Sequence, residues 1–468
     1  MIEAISTLTN ANLTRSPAWQ ASFSIDGKYL AVCFGNPKTH VKIWQCCKTT
    51  QNPTSTNKAL EEEWKLLATI QDDNDTSGHT RSIRSVAFAP TAISYDVVPI
   101  LATASFDGKV LIWEYCQDDD NDDEDDHMIK TKDDDNYSIH NNNNEQATTS
   151  SSGYFEPIAQ LEGHDNEIKD LAWNATGSLL ASCGRDKTIW IWECFLPGTI
   201  GGVESSSNTT TMYNTTNNEN DGEAFECLAV LQGHDGDVKS IAFGPSHNQW
   251  GEGEEILVSA SYDNTIKVWA EEAGDWYCAM TLGEDCSSSS VPRSIPSRIG
   301  GGGIVHTSTV WSVAFAPGGV RFLSGSDDGS MAIWKLYTAT ERKKLFPNNH
   351  EQQQQVVVSS TDGLWKCVGR LPDAHSRYAV FSIDCAPTRA GHGRIASAGG
   401  DNSINIYREE TGDGTTTSSA DAPKFSLEDV AVDAHDGDVN CIKWHPRDGR
   451  CLVSCGDDGA VKLWRYIR

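Results

Sequence analysis

The chain has 468 residues and a net charge of −29 with histidine counted as neutral. No apolar run is long enough to span a bilayer, and the start MIEAISTLTN lacks the basic and apolar regions of a secretory signal. So acidic a balance disfavours nucleic-acid binding over a broad surface.

The 14 cysteines show no Cys-x-x-Cys spacing. Most fall in strand-like runs (Cys33, Cys183, Cys385, Cys441, Cys455) and read as small buried residues of a reducing compartment, with no metal site. In chain order, the first strand-like run is Ala4-Ile5-Ser6-Thr7-Leu8. A degenerate unit follows and ends at Trp44; its turn, Gly35-Asn36-Pro37-Lys38, lacks an acidic residue and no histidine precedes it. Beyond it a marker recurs six times: Ser or Thr, then four residues to Asp, then six to an aromatic, with a histidine upstream. The copies are His79/Thr103/Asp107/Trp113, His164/Ser182/Asp186/Trp192, His234/Ser259/Asp263/Trp269, His306/Ser324/Asp328/Trp334, His375/Ser397/Asp401/Tyr407 and His435/Ser454/Asp458/Trp464. Leu161–Glu193 is the most regular copy. Gly163-His164 opens it, Glu167–Trp173 reads as a strand, and Asn174-Ala175-Thr176-Gly177 as a turn. Leu179–Cys183 reads as a second strand, Arg185-Asp186 as a tight turn, and a third strand ends at Trp192. Further strands with an aromatic start and an aliphatic end are predicted at Tyr154–Leu161, Phe225–Leu231, Trp276–Leu282 and Trp365–Leu371.

The units are longer than the about 40–45 residues of a minimal repeat of this kind. The excess lies in low-complexity inserts at 117–153, 196–223, 283–304, 337–363 and 409–424, which read as disordered loops. Gln117–Asp135 alone holds eleven acidic residues and two lysines, −9 of the −29, and would repel itself if packed. Four inserts fall between the third and fourth strands of a unit, while 283–304 leads into a new one.

This pattern resembles the WD40 repeat, which implies an all-β, seven-bladed propeller over residues 1–468. One such sheet cannot bury both faces, so the blades stack in a ring. The resemblance makes each His, Ser/Thr, Asp and aromatic quartet a buried hydrogen-bonded tetrad with a structural role. The last unit ends with its third strand at Trp464-Arg465-Tyr466-Ile467-Arg468, so the N-terminal run is expected to supply its fourth strand and close the ring. No P-loop, G-x-G-x-x-G after a strand, H-E-x-x-H or G-x-S-x-G is present, and six quartets at one spacing argue against a catalytic triad, so no enzyme, cofactor or catalytic residue is expected.

In a WD40 blade, the residues flanking the first-strand aliphatic and the residue before the tetrad Asp face the top of the channel. Those positions put Arg84, Lys169, Arg185 and Lys239 on neighbouring blades, interleaved with Phe106, Tyr262 and Trp311. This set suits an acidic peptide with an aromatic side chain or a free carboxylate. The competing arrangement pairs the cations with Glu167, Asp237 and Asp327 and leaves no pocket.

A closer resemblance rests on Ala104-Ser105-Phe106-Asp107, Leu161–Lys169, Ser182–Lys187, Ser259-Ala260-Ser261-Tyr262-Asp263, Ser308-Thr309-Val310-Trp311-Ser312, Ala374-His375-Ser376-Arg377, and Ala434-His435 with Asp438-Val439-Asn440-Cys441. These are similar to the WD40 subunit of the cytosolic iron–sulfur protein assembly targeting complex. The match spans blades two to seven; blade one and the inserts match poorly. The resemblance implies a non-enzymatic adaptor, monomeric within a hetero-complex, that joins partner subunits and recruits iron–sulfur apoproteins. It implies a cytoplasmic setting that extends to the nucleus, with no nucleic-acid or membrane partner. It also implies a top-face arginine at Arg185 and recognition of C-terminal peptides ending in an aromatic after an acidic residue. Animal members carry Leu-Tyr-Arg, linked to a cochaperone, at the end of the third strand of blade four; here that place reads Val268-Trp269-Ala270, and Ile406-Tyr407-Arg408 occurs instead in blade six. The alternative is a generic WD40 scaffold, such as a ubiquitin-ligase substrate receptor or a chromatin-complex subunit.

Overall fold

The computed structural model describes residues 1–9, 16–48, 62–71, 78–90, 98–117, 153–195, 224–244, 255–283, 305–338, 341, 364–387, 393–410 and 423–467. The five low-complexity inserts, apart from their flanks, lie outside the described residues.

The described strands form seven four-stranded antiparallel sheets, taken here as blades I to VII. A single N-terminal strand, β1 (Ile2–Thr9), precedes them. Blade I is β2 (Ala18–Phe23), β3 (Tyr29–Phe34), β4 (His40–Lys48) and β5 (Glu62–Ile70). Blade II is β6 (Ile83–Phe88), β7 (Leu101–Ser105), β8 (Lys109–Gln117) and β9 (Gly153–Glu162). Blade III is β10 (Ile168–Trp173), β11 (Leu179–Gly184), β12 (Ile189–Cys194) and β13 (Phe225–Leu231). Blade IV is β14 (Val238–Phe243), β15 (Ile256–Ser261), β16 (Ile266–Glu272) and β17 (Asp275–Leu282). Blade V is β18 (Val310–Phe315), β19 (Arg321–Ser326), β20 (Met331–Tyr337) and β21 (Leu364–Leu371). Blade VI is β22 (Val380–Cys385), β23 (Arg394–Gly399), β24 (Ile404–Glu409) and β25 (Phe425–Ala431). Blade VII is β26 (Val439–Trp444), β27 (Cys451–Gly456) and β28 (Val461–Tyr466), and β1 completes it as the fourth strand.

Burial explains the composition of each strand. The second strands are covered on both faces by neighbouring blades, so they read as continuous runs of small and aliphatic residues; β3, β7, β15, β23 and β27 are buried at every position. The outer strands face solvent and alternate, as in β9. Seven hydrophobic clusters fill the seven seams between blades. Leu30, Val32 and Ala18 of blade I pack with Val453 and Val461 of blade VII at the closing seam. Ile2 of β1 is buried in the cluster between blades VI and VII. The propeller is therefore closed by its N-terminal strand, which pairs antiparallel with β28 from Ile2↔Tyr466 to Thr9↔Val461.

The register carries one more regularity. Every first strand skips one residue against its second strand, at Trp19, Arg84, Lys169, Lys239, Trp311, Phe381 and Asn440. Each is a β-bulge. The tight turns between second and third strands in blades II to VII also share a form. The residue after the quartet Asp has a positive φ: Gly108, Lys187, Asn264, Gly329, Asn402 and Gly459. Gly and Asn are the residues that take that conformation most readily, and only Lys187 departs from the rule.

Candidate functional site

The seven bulges re-aim one side chain per blade, and all seven side chains line a single cavity of about 560 Å3 on the ring axis. In ring order they are Trp19, Arg84, Lys169, Lys239, Trp311, Phe381 and Asn440. Three consecutive blades thus contribute cations, with an indole on either side. Each cation meets an aromatic face. The Arg84 guanidinium carbon lies 4.9 Å from the Trp19 ring centre, and Lys169 Nζ lies 4.1 Å from that of Phe106. Lys239 Nζ sits 5.0 Å from Trp311 and 5.6 Å from Tyr262. Trp311 in turn meets Phe381 edge-on at 5.3 Å. In blade VI an extra residue before the bulge is absorbed by left-handed conformations at Ser376 and Arg377.

Glu167 organises one flank of this mouth. It accepts hydrogen bonds from Arg81 and Lys169, both at 2.7 Å, and Arg185 lies 3.7 Å away. Arg81 is fixed by a second bond to the Phe106 carbonyl at 2.6 Å. Burial works to raise the Glu167 carboxyl, but the hydrogen bonds from Lys169 and Arg81 outweigh it and hold it at about 2. Burial also pushes the Lys169 ammonium down; Glu167 opposes this, while repulsion from Lys239 and Arg84 adds to it. Lys239 donates to Asp237 at 3.1 Å. Among the described residues, Arg84 has no carboxylate partner, and Asp327 accepts from Ser308 at 3.0 Å instead of pairing with a cation. Five cations (Arg81, Arg84, Lys169, Arg185, Lys239) therefore surround two carboxylates, Glu167 and Asp237. Opposite them, blade VII is acidic: Asn440 donates to Asp457 at 2.8 Å, and burial together with Asp457 raises the Asp438 carboxyl. Mutually repelling cations in a partly enclosed cavity gain from an incoming anion.

The structure brings together all seven residues that the sequence singles out, Arg84, Phe106, Lys169, Arg185, Lys239, Tyr262 and Trp311, around one channel mouth. Sequence reasoning missed Trp19, because blade I has no quartet to count from, and Arg81, which lies outside the three positions considered. The bulge position itself would have found Trp19.

A second ring lies just beneath. The residue after each bulge accepts an N–H from the next blade. Val86 donates to Gln20 at 2.8 Å, Leu171 to Ser85 at 3.0 Å, Ile241 to Asp170 at 3.1 Å and Val313 to Ser240 at 3.4 Å. Ile383 donates to Ser312 at 3.1 Å, Ile442 to Ser382 at 3.1 Å and Ala21 to the Cys441 sulfur at 3.4 Å. First strands are the inner edges of their sheets, so these N–H groups have no ladder partner of their own. The ring satisfies one per blade, returns on itself, and holds the bulge residues above it in place.

The quartets flank the turns of the same face. In blade III, His164 places Nδ1 2.7 Å from Asp186 and Nε2 2.9 Å from Ser182, which also accepts from Trp192 at 3.1 Å. Blade II repeats this connection: His79 meets Asp107 at 3.1 Å and Thr103 at 2.9 Å, and Trp113 donates to Thr103 at 2.8 Å. Blade IV does so with His234, Asp263, Ser259 and Trp269, and blade VII with His435, Asp458, Ser454 and Trp464.

Two blades differ from the pattern read in the sequence. In blade V only half of the quartet forms directly. Ser324 does join His306 at 2.7 Å and accepts from Trp334 at 2.9 Å. His306 Nδ1, however, meets Ser330 at 3.1 Å and Asp328 only at 3.7 Å, with Ser330 bridging the two. In blade VI, Tyr407 does not join Ser397: its longer reach carries the hydroxyl to the Ala374 carbonyl at 2.8 Å. Blade I has no quartet, and its turn is braced by His40 stacked on Phe34 at 4.4 Å.

Burial also sets three of the quartet side chains apart from the channel. Trp113 and Ser324 are fully buried and Trp334 nearly so, and none of the three lines the channel. Trp113 packs with Ile43 and Ile83 in the seam between blades I and II. Trp334 stacks on Phe322 at 5.8 Å in the seam between blades IV and V. Their indole N–H groups are already used inside the blade by Thr103 and Ser324, so Trp113, Ser324 and Trp334 belong to the frame of the site and not to its surface. Among the described residues, no group of three His, Cys, Asp or Glu is arranged to hold a metal ion.

A family model described as WD domain, G-beta repeat, matches residues 65–114, 155–193, 225–270, 304–335 and 428–465. The chain is also similar over most of its length to fungal proteins named "Probable cytosolic iron-sulfur protein assembly protein 1". That of Chaetomium globosum is 34% identical over 440 residues, covering 85% of this chain and 86% of its own. That of Meyerozyma guilliermondii is 32% identical over 465 residues, covering 93% of this chain and all of its own. That of Debaryomyces hansenii is 32% identical over 427 residues, covering 87% and 90%.

Proposed function

The chain belongs to the cytosolic iron–sulfur protein assembly protein 1 family of WD40 propellers, and from that premise we propose that it is a non-catalytic adaptor that brings iron–sulfur apoproteins to the cytosolic assembly machinery through its channel mouth. The observation that carries the recognition step is the run of Arg84, Lys169 and Lys239 on three consecutive blades, each against an aromatic ring, in a chain of net charge −29. An acidic peptide with an aromatic side chain matches that run: its carboxylate meets cations short of counter-charge, and its ring stacks among Phe106, Tyr262 and Trp311. Arg185, whose side chain is 55% exposed, extends the cationic surface outward. The quartets have the complementary role of holding each blade's turn. On this reading the protein works in the cytosol within a hetero-complex and also serves nuclear clients.

The test is affinity purification of tagged wild type and Arg185→Glu from native cells. Wild type should recover assembly subunits together with iron–sulfur apoproteins, and Arg185→Glu should keep the subunits but lose clients at least about tenfold. Recovery of ubiquitin-ligase or histone-modifying subunits in their place would overturn the adaptor reading. Unchanged client recovery by the variant would overturn the site.

A further inference from the structure

The ring of hydrogen bonds beneath the mouth has one unlike member. In blades I to VI the acceptor is an oxygen, from Gln20, Ser85, Asp170, Ser240, Ser312 and Ser382. In blade VII it is a sulfur. Cys441 Sγ accepts the Ala21 N–H at 3.4 Å and donates back to the Ala21 carbonyl at 3.9 Å. This link crosses from blade VII to blade I, the seam at which the ring closes. A thiol is a weak donor and a weak acceptor, so hydrogen bonding alone does not account for sulfur at this place.

Cys441 also has a partner. Cys455 on β27 stands directly opposite it on β26, and both side chains are buried in the same closing-seam cluster. Opposed residues of an antiparallel pair have Cα atoms about 4.5–5.5 Å apart, inside the range of about 4.4–6.8 Å that a disulfide spans. Both thiols are free in this structure. Cys33, a third buried thiol, bonds the Gln20 carbonyl at 3.6 Å and packs on the other face of blade I, in the seam with blade II. Cys441 lines the channel cavity beside Asn440 and Lys443, so a small solute in the bore reaches it; Cys455 is not part of that lining. The hydrogen bond from Cys455 and the nearby Lys443 charge lower the Cys441 thiol against the effect of burial, while burial and that same hydrogen bond raise Cys455. Cys441 is thus the better nucleophile of the two.

We propose that Cys441 and Cys455 form a peroxide-reactive dithiol, a modification site built into the closing seam. The Cys441 thiolate attacks one oxygen of hydrogen peroxide and becomes the sulfenic acid. The O–O bond breaks, and the other oxygen leaves as hydroxide, which the proton given up by Cys441 converts to water. The Cys455 sulfur then attacks the sulfenic sulfur. An S–S bond forms, the S–O bond breaks, and the departing hydroxide leaves as water with the Cys455 proton. Two electrons and two protons thus pass from the thiols to the peroxide. The disulfide has no S–H to donate to the Ala21 carbonyl, so oxidation weakens the joint between blades VII and I. Where thiols are kept reduced, the dithiol is the resting form and the disulfide a transient one.

The test treats the full-length protein with hydrogen peroxide in small molar excess, blocks the remaining thiols by alkylation and maps the peptides by mass spectrometry. Wild type should yield a cross-linked Cys441–Cys455 peptide, lighter by two hydrogens, before the exposed Cys227 and Cys278 are modified. Cys455→Ser should stop at the sulfenic acid, so dimedone should label Cys441 about tenfold or more above wild type. Cys441→Ser installs the hydroxyl that blades II, IV, V and VI use at this place. It should keep the wild-type melting temperature and leave Cys455 unmodified. Amide exchange of the segment that holds Ala21 should quicken about tenfold in oxidised wild type and not in peroxide-treated Cys441→Ser. Oxidation of Cys227 and Cys278 with the pair still reduced, a Cys441–Cys33 link, or no dimedone label on Cys441 in Cys455→Ser would overturn the site. Unchanged exchange at Ala21 in the disulfide form would overturn its effect on the seam.

Discussion

Single atoms decide how much each quartet contributes. Ser182 Oγ serves two buried partners, His164 and Trp192, so Ser182→Ala strands two nitrogens. Ser397 serves His375 but not Tyr407, so Ser397→Ala strands one. At about 1–3 kcal/mol for each buried polar group left unsatisfied, urea melts should show Ser182→Ala as the more damaging by about 1–3 kcal/mol; equal losses would mean that the Trp192 bond carries no weight. Glu167 is the corresponding case for charge. Its carboxyl is held at about 2 against an ordinary 4.5, so it binds fewer protons folded than unfolded between those values. The stability it contributes is fully present above pH 4.5 and is lost as pH falls through about 2. Asp401 and Asp458, also held at about 2, run the same way. Thermal melts from pH 6 to 2 should therefore decline for wild type and for Glu167→Gln alike, but with a shallower slope in the variant. Parallel curves would remove Glu167 from the account.

At the scale of strands, the register separates what could be read in the sequence from what could not. The quartet spacing is local, four and six residues within one hairpin, so blades II to VII are visible from the residue order. The outer strands of blades II to V were visible too, because one face alternates against solvent: Phe225–Leu231 is β13 as it stands. The bulges are invisible, since a skipped residue leaves no mark in composition. With them went Trp19, Gln20 and Asp170, whose neighbours come from other blades; Gln20, for example, donates to Asp170 across two seams at 2.8 Å. Tyr407 was misplaced for a similar reason: an aromatic fits the spacing, but a phenol reaches farther than an indole N–H. The strand most dependent on distant partners is β1. Deleting residues 1–9 removes its whole pairing with β28 and the buried Ile2, and leaves β28 as a bare edge. The truncated chain should melt about 10 °C or more below wild type, and an unchanged melting temperature would show that the ring closes without it.

For the molecule as a whole, charge acts in opposite directions at two distances. The net −29 repels an acidic ligand at long range, whereas the cationic mouth attracts it within a Debye length of about 10 Å at 0.1 M salt. Added salt should therefore speed association by screening the far field, and speed dissociation by weakening the near one. Stopped-flow measurements from about 20 to 200 mM salt should show both rates rising; an association rate that falls with salt would mean that the mouth, not the overall charge, steers the approach. The closed hydrogen-bond ring and the β1–β28 pairing have a consequence in time as well. Strand β1 precedes blades I to VI in the chain yet belongs to the sheet that β26–β28 complete, with Met1 bonded to Ile467 at 2.7 Å. Until blade VII has left the ribosome, the blade I face that includes Ala18, Leu30 and Val32 has nothing to cover it. A nascent chain must therefore carry this open apolar flank from the making of blade I until β26–β28 emerge, and the ring shuts only then.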